Sequence, residues 1–418
     1  MHTTNVEMTE TSPPIRLLTL NCWGFAVISK HKDLRLSKIA EYLATGELDI
    51  VALQEIWCKS DYLHLKQCLA TVFPYSHYFY SGVIGSGLCI FSCWPIEEIA
   101  FSEYLLSGPS IARKIFKGDK LGGRGIAMTV IRHPQHGPIH VFTTHLMATY
   151  GSKVPDENQS HRVCQAFQLV QFVKSHRPRF TILCGDFNST PLTEPYNIIT
   201  SYGQMKDAWL EIAGNESTKG ITINRPENVY RKKHEDPMRI DFVFYATNPG
   251  ERSVLKCQSS EVTMGKIPGT NIYFSDHNGI YSEFEVCEQV DSADPSIDNK
   301  ASVDSVIVAE QLTAFALTTA SARCHQQIIV SLFFFFLWLS LTVIALFPSL
   351  LTIFLIDSVD TVAFSTPFFG LLLSISLTVA ICFGLLSLIV SKIEINRLTQ
   401  LQQEMKFVCH ALEQSDIQ

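Results

Sequence analysis

Polar side chains with the chemistry of a hydrolytic site recur where runs of apolar, strand-like residues end. They lie in the strings Asn21-Cys22-Trp23-Gly24, Gln54-Glu55, Thr144-His145-Leu146, Gly185-Asp186-Phe187-Asn188, Arg239-Ile240-Asp241 and Ser275-Asp276-His277. Hydrolysis of a phosphodiester needs a cation that neutralises phosphate charge, a base that activates water, and donors that hold the developing negative charge. Carboxylates, amides and histidines supply these functions, so the set predicts one metal-dependent phosphodiester-cleaving site.

Glu55 and Asn21 are the predicted metal-binding residues. Glu55 closely follows the apolar run 49–53, and Asn21 directly follows the run 15–20. A side chain at the end of a strand is well placed to face a cleft. Mg²⁺ prefers oxygen ligands and retains several waters, so one or two such side chains are enough to hold it.

His277 is the predicted general base, because a neutral imidazole accepts a proton from water near pH 7. Such a base needs a carboxylate on its other ring nitrogen, and Asp241 is the candidate. Asp186 and Asn188 flank Phe187 and would point to the same side of an extended segment, where one would orient water or metal and the other would donate to a phosphoryl oxygen. His145 is a second donor or acid.

The elements that must position these residues alternate between strands and helices. Short apolar runs rich in Val, Ile, Thr and Phe predict strands at 15–20, 49–53, 87–91, 126–131, 139–143, 180–184, 240–245 and 279–284. Helical patterns cover 34–43 and 161–174. Because they follow no regular βαβ period, we expect residues 15–286 to form one α/β sandwich of two packed sheets. Residues 1–14 are expected to be a disordered leader without a secretory signal.

The C-terminal third of the chain has the composition of a membrane anchor. Residues 287–325 are expected to be a linker and a juxtamembrane segment. Two apolar stretches, 328–356 and 362–390, each exceed the roughly 20 residues that span the hydrocarbon. They predict a transmembrane hairpin over 326–391, followed by a C-terminal helix or tail at 392–418.

The charges around this hairpin predict its orientation. Arg323 precedes the first stretch, Lys392 and Arg397 follow the second, and the connection between the stretches contains no Lys or Arg. The positive-inside rule therefore places the catalytic domain and the tail in the cytosol. The net charge of -7 and the lack of a long basic run argue against a nucleic-acid partner.

The motifs resemble, in order and spacing, those of the deoxyribonuclease I-like phosphodiesterases over residues 15–286. Three strings resemble those of the neutral sphingomyelinases of animals. They are residues 18–24, Ser29-Lys30-His31 and Ser81-Gly82-Val83-Ile84-Gly85-Ser86-Gly87-Leu88-Cys89. The similarity is greatest to the short endoplasmic-reticulum type, which ends in the same hairpin. It implies a four-layered α/β sandwich and Mg²⁺-dependent hydrolysis of sphingomyelin to ceramide and phosphocholine, with Mn²⁺ as a substitute ion. It also implies an internal, endoplasmic-reticulum membrane and activation by anionic lipids.

The resemblance assigns roles to individual residues. Glu55 would be the principal Mg²⁺ ligand, with Asn21 close to the metal. His277 would be the base, oriented by Asp241 or Asp276. Asp186 and Asn188 would bind water and stabilise the transition state, while His145 would hold the phosphate or aid departure of the ceramide alkoxide.

One loop departs from the family pattern. The family has a glycine-rich loop in which an Asp precedes a Lys by five residues, whereas this chain offers Asp119 and Arg124. Arg is a planar fork rather than a compact ammonium, so the role of this loop stays open. Alternative functions also stay open: a phospholipase C acting on lysophosphatidylcholine or lyso-platelet-activating-factor lipids, a phosphoinositide phosphatase, or a membrane-tethered binding module.

Overall fold

Two mixed, six-stranded sheets form the centre of the fold. The structure, a computed structural model, describes residues 13–107, 122–148, 158–176, 178–214, 220–288, 299–355 and 362–415. Its strands are β1 (Ile15–Asn21), β2 (Ile50–Gln54), β3 (Tyr75–Tyr78), β4 (Cys89–Ser92), β5 (Ile96–Glu103), β6 (Gly125–His133), β7 (Gly137–His145), β8 (Phe180–Asp186), β9 (Lys206–Asp207), β10 (Asp241–Thr247), β11 (Ser253–Thr263) and β12 (Gly279–Glu288). The first sheet has the order β11-β12-β1-β2-β4-β3 and the second the order β5-β6-β7-β8-β10-β9.

Seven α-helices separate or follow the strands in the described part of the chain. They are α1 (Lys32–Leu43), α2 (Lys59–Leu69), α3 (Gln159–His176), α4 (Glu194–Asn197), which continues into a π-helix at Ile198–Tyr202, α5 (Ala208–Ala213), α6 (Asn299–Leu355) and α7 (Val362–Ser415). The α1 and α2 helices pack against the first sheet. On the second sheet, the ring of Phe142 from β7 contacts that of Phe172 from α3 at 6.2 Å.

Alternation along the strands explains the layered core. In β1 and β2, Leu17 and Ile50 belong to the core between the two sheets, whereas Leu18 and Val51 pack towards α1 and α2. Successive side chains of a strand point to opposite faces, so a strand buried on both faces is apolar throughout. Helix, sheet, sheet and helix thus form four layers, which confirms the predicted four-layered α/β sandwich.

The C-terminal helices belong to two compact units. One unit comprises the two sheets and their helices, together with α6 up to Leu312 and α7 from Glu404, and the other contains Thr313–Gln403. Within the described residues, the stretch Lys300–Ile344 of α6 is long and apolar enough to cross a membrane. The second crossing, and with it the hairpin over 326–391, stays a prediction.

Some predictions concern residues outside the described part of the chain. These are residues 1–12 of the expected leader, residues 289–298 of the expected linker, Asp119, residues 356–361 of the predicted hairpin and residues 416–418 of the predicted tail.

Candidate active site

The registers of both sheets bring the predicted site residues together at one edge. In the second sheet, parallel pairing of β7 with β8 sets His145 opposite Asp186. Antiparallel pairing of β8 with β10 then sets Asp186 opposite Asp241. In the first sheet, Asn21 at the end of β1 pairs with Gln54 at the end of β2, and Glu55 follows directly.

Sharp turns after three strands orient the side chains at this edge of the sheets. Trp23, Glu55 and Asn188 adopt left-handed backbone conformations, with φ of 47°, 59° and 46°. Such conformations are unfavourable for residues other than glycine and persist where the surrounding structure fixes them, often at functional sites. A Cβ on Gly24 would lie 2.1 Å from the carbonyl oxygen of Glu55, so the close approach of the two turns requires glycine there.

A buried histidine–aspartate pair forms the centre of the site. Nδ1 of His277 donates to Oδ2 of Asp241 at 2.8 Å, and both side chains are buried. This bond leaves Nε2 of His277 as the proton-accepting nitrogen. Of the two carboxylates proposed to orient His277, Asp241 therefore makes the contact, whereas Asp276 accepts from Ser275 Oγ at 3.2 Å.

Burial and the neighbouring charges both shift the pKa values of His277 and Asp276. Burial lowers the pKa of His277, but the charge and hydrogen bond of Asp241 and the charges of Asp186 and Asp276 outweigh it and raise the pKa well above its ordinary value. Burial raises the pKa of Asp276 to about 6, and the nearby charge of Glu55 adds to this effect. The site thus concentrates acidic groups around one imidazole.

Asn21 links the metal-ligand candidate to the acidic centre. Its Nδ2 donates to Oδ2 of Asp186 at 2.9 Å and to Oε1 of Glu55 at 3.3 Å. Nε2 of His145 lies 3.3 Å from Oδ2 of Asp186 and 4.0 Å from Oε1 of Glu55. Burial raises the pKa of Asp186, but the charges of His145 and His277 and the backbone N–H of Asn188 outweigh it, so the pKa lies well below its ordinary value.

Asn188 reaches the site by a turn rather than along an extended strand. The β8 strand ends at Asp186, and Asn188 N donates to Oδ1 of Asp186 at 2.9 Å. The Asn188 amide donates to the carbonyl of Leu146 at 3.1 Å, while Phe187 is buried. Asp186 and Asn188 both line the cleft, but the sequence argument from strand alternation gives the wrong local geometry.

Oxygen-rich groups at this edge could hold a metal ion. Asp186, Asp241 and His277 each bring one ligand atom to within 4.8 Å of the others. The hydrogen bond between His277 and Asp241 accounts for part of that proximity. Glu55, whose side chain is 18% exposed, offers a carboxylate that is open to the cleft. The carboxylate oxygens suit a hard cation. Asn21 lies beside them, but its Nδ2 faces Glu55 and Asp186 while its Oδ1 accepts from the backbone N–H of Trp23 at 3.0 Å.

The site lies in a cleft of about 810 Å³ with aromatic and cationic walls. Trp23 and Trp57 line it, and so does the buried Arg124. The guanidinium of Arg124 donates to the carbonyl of Leu146 at 2.8 Å and lies 5.9 Å from the ring of Trp57. Arg124 is thus part of the cleft wall.

Arg35 is a positioning residue that the sequence did not reveal. Its side chain is fully buried, and its guanidinium donates to the carbonyl oxygens of Lys30, Cys22, Trp23 and Phe274. It thereby ties the turn after β1 to the segment that precedes His277. In the sequence, Arg35 reads as an ordinary polar residue of an amphipathic helix, and no motif distinguishes it.

The sequence profile of the endonuclease/exonuclease/phosphatase family matches residues 18–277. Human sphingomyelin phosphodiesterase 2 is 31% identical over 319 residues, which cover 74% of each chain. The inositol phosphosphingolipids phospholipase C of Schizosaccharomyces pombe is 34% identical over 297 residues, 65% of this chain and 68% of that protein.

Solved structures support the fold. The beta toxin of Staphylococcus aureus superposes with a TM-score of 0.50 at 19% identity, covering 64% of this chain and 99% of the toxin. Danio rerio TDP2, solved with a single-strand DNA product, has a TM-score of 0.52 at 16% identity, with coverage of 65% and 99%. At these identities the likeness concerns the fold alone.

Proposed function

We propose, from the premise that this chain belongs to the endonuclease/exonuclease/phosphatase family, that it hydrolyses sphingomyelin to ceramide and phosphocholine. The observation that carries the proposal is the convergence of Glu55, Asp186, Asp241 and His277 in one cleft. The chain that builds this cleft shares 31% of its residues with a sphingomyelin phosphodiesterase over 74% of its length.

The first step is activation of water by His277. Asp241 holds Nδ1, so Nε2 is directed towards the cleft and takes a proton from water. The hydroxide attacks phosphorus while the bond to the ceramide oxygen breaks. The leaving alkoxide then takes up a proton from solvent water, and His277 returns to solvent the proton that it accepted.

The second requirement is stabilisation of the charge on the phosphoryl oxygens. Asn188 and His145 would present donors at the reacting phosphate, and Asp186 would orient water there. A bound Mg²⁺ ion would neutralise phosphate charge, and Glu55 would hold it, with Asn21 close to the metal. The carboxylate of Glu55, which is partly exposed and lines the cleft, supports a cation here.

We also propose that the chain is anchored in an internal membrane, the endoplasmic reticulum, with its catalytic unit in the cytosol. Within the unit Thr313–Gln403, Arg323 lies 3.2 Å from Glu394, and Ser391 Oγ donates to Gln327 at 2.7 Å. These contacts support the proposed hairpin, in which the start of the first apolar stretch would lie beside the end of the second. Tethering keeps the cleft near the lipid headgroups and so raises the effective substrate concentration.

The proposed reaction is tested by phosphocholine release from mixed micelles. The full chain is assayed in detergent on sphingomyelin, lysophosphatidylcholine and an inositol-phosphate sphingolipid, each with Mg²⁺, with Mn²⁺ or with EDTA. We expect Mg²⁺-dependent turnover of sphingomyelin that exceeds turnover of the lyso-lipid. Preference for the lyso-lipid would retain the mechanism and change the substrate.

The inositol substrate tests a second candidate, which the relative from Schizosaccharomyces pombe favours. Release of inositol phosphate in preference to phosphocholine would establish that candidate. Turnover of none of the three lipids by a folded protein would refute the phospholipase C reaction.

Exchanging Asp241 for Asn is expected to shift the acidic limb of the pH–rate profile to lower pH. A protonated His277 cannot act as a base, so the rate falls as the pH falls through the His277 pKa. Asp241 raises that pKa, and Asp241→Asn therefore lowers it. The maximal kcat should fall by about 10²-fold or more, because the ring loses its orienting charge. If the acidic limb of the plot of kcat against pH is unchanged in the Asp241→Asn variant, the proposed pairing of Asp241 with His277 is contradicted.

A further inference from the structure

Exposed aliphatic side chains surround the mouth of the catalytic cleft. Val27 is 84% exposed, Ile28 62%, Val83 80% and Leu192 86%. They come from three separate loops, after β1, after β3 and after β8. We call these four residues the apolar rim.

The rim is continuous with the cleft. Each rim residue either lines the cleft or lies next to, or between, residues that line it, namely Ile28, Ile84, Thr190 and Thr193. Isolated exposed apolar residues are normal on soluble proteins. Four on three loops that line one opening are of the kind that marks an interaction surface.

A basic loop adjoins the same opening. It contains four consecutive exposed residues, Arg231, Lys232, Lys233 and His234. Of these, Lys232 and His234 line the cleft. Two acids follow in the same loop, Glu235, which pairs with Lys232 at 3.4 Å, and Asp236, so the loop carries three Lys or Arg side chains against two carboxylates. Apolar side chains beside exposed cations are the combination that binds the interface of a membrane with anionic headgroups.

We propose that the apolar rim is the surface through which the catalytic unit sits on a lipid bilayer. The rim side chains enter the interfacial region, and the basic loop lies against headgroup phosphates. The mouth of the cleft then opens at the headgroup plane, where the scissile bond of a phospholipid lies. This inference rests on the proposed function, since it assumes a substrate with lipid tails.

The position of the rim favours a bilayer over a protein partner. A second copy or another protein seated on the rim would cover the mouth and exclude substrate. A bilayer at the same place supplies the substrate, and the ceramide tails remain in the lipid throughout the reaction.

The experiment compares two substrates in one preparation of the full chain. The chain is reconstituted in nanodiscs that contain phosphatidylcholine and sphingomyelin, and release of phosphocholine is measured. A water-soluble chromogenic ester of phosphocholine is assayed on the same discs. Val83→Asp, Leu192→Asp and the double variant should lower turnover of disc-borne sphingomyelin by about ten-fold or more, and turnover of the soluble ester by less than about two-fold.

Tyr75→Asp is the matched control. Tyr75 is 40% exposed and lies at the opposite end of the first sheet, because it pairs with Ser92, which pairs with Ile50 at the start of β2. It should leave both activities unchanged. Equal turnover of sphingomyelin by wild type and rim variants would overturn the proposal, as would loss of both activities or an equal loss in the control.

A failure of the proposed function can be distinguished from a failure of the proposed bilayer surface. If the wild-type chain hydrolyses no sphingomyelin in the discs, the proposed reaction fails before any variant is compared, and the bilayer surface fails with it. If the wild type is active and the rim variants match it, the bilayer surface alone is refuted.

Discussion

Replacing His277 by alanine is expected to lower kcat for sphingomyelin by about 10³- to 10⁴-fold, the range that removal of a general base produces. Nε2 of His277 is the nitrogen left free by the bond to Asp241, and it is the group we assign to take the proton from water. Binding of the lipid should change little, because the imidazole of His277 is only one of many groups that line the cleft. The measurement is kcat and KM for phosphocholine release at saturating Mg²⁺.

The fold of the variant must be checked, because His277 is buried and its removal leaves Asp241 without its partner. Circular dichroism and a thermal melt serve this purpose. His77→Ala is the matched control, a partly buried histidine on β3 whose ring contacts Phe79. Loss of kcat in a folded His277 variant, with near-normal rates in the control, agrees with the assignment. Retention of more than about a tenth of the wild-type kcat by the His277 variant would remove His277 as the base.

The location of the site could be predicted mainly from the points in the sequence where the apolar runs end. Strand endings at 20, 53, 143 and 184 in the sequence agree within one or two residues with β1, β2, β7 and β8. Polar residues that directly follow buried strands must lie at a sheet edge, so the site could be located before its geometry was known. The pairing of β8 with β7 and with β10 could not be predicted, because it joins strands separated by long connections. Side-chain periodicity does not encode the partner of a strand.

The orienting partner of His277 illustrates what local sequence cannot settle. Asp276 is adjacent in the chain, but neighbouring residues of an extended segment point to different sides. Asp241 is distant in the chain, and the register of β10 with β8 brings it to the ring. The buried guanidinium of Arg35 was missed for a similar reason: its partners are backbone carbonyls, which leave no trace in residue types.

Replacing Glu55 by glutamine is the second change with a large expected effect. Glutamine keeps the length of the side chain and an oxygen that can accept from Asn21 Nδ2, now at 3.3 Å, so the fold should persist. The change removes the charge that we propose holds Mg²⁺. We expect kcat/KM to fall by about 10³-fold, in line with the loss of a charge-neutralising group at a reacting phosphate. The Mg²⁺ concentration for half-maximal activity should rise by about ten-fold or more.

This shift in the Mg²⁺ midpoint separates a metal ligand from a residue that merely shapes the cleft. Glu194→Gln tests the distinction, because Glu194 also lines the cleft but accepts a hydrogen bond from Gln159 at 3.0 Å. The Glu194 variant should keep the wild-type midpoint whatever its rate. If Glu55→Gln loses activity at an unchanged midpoint, the metal lies elsewhere. The cluster of Asp186, Asp241 and His277 would then be the alternative, and His277 could not serve both as a ligand and as the base.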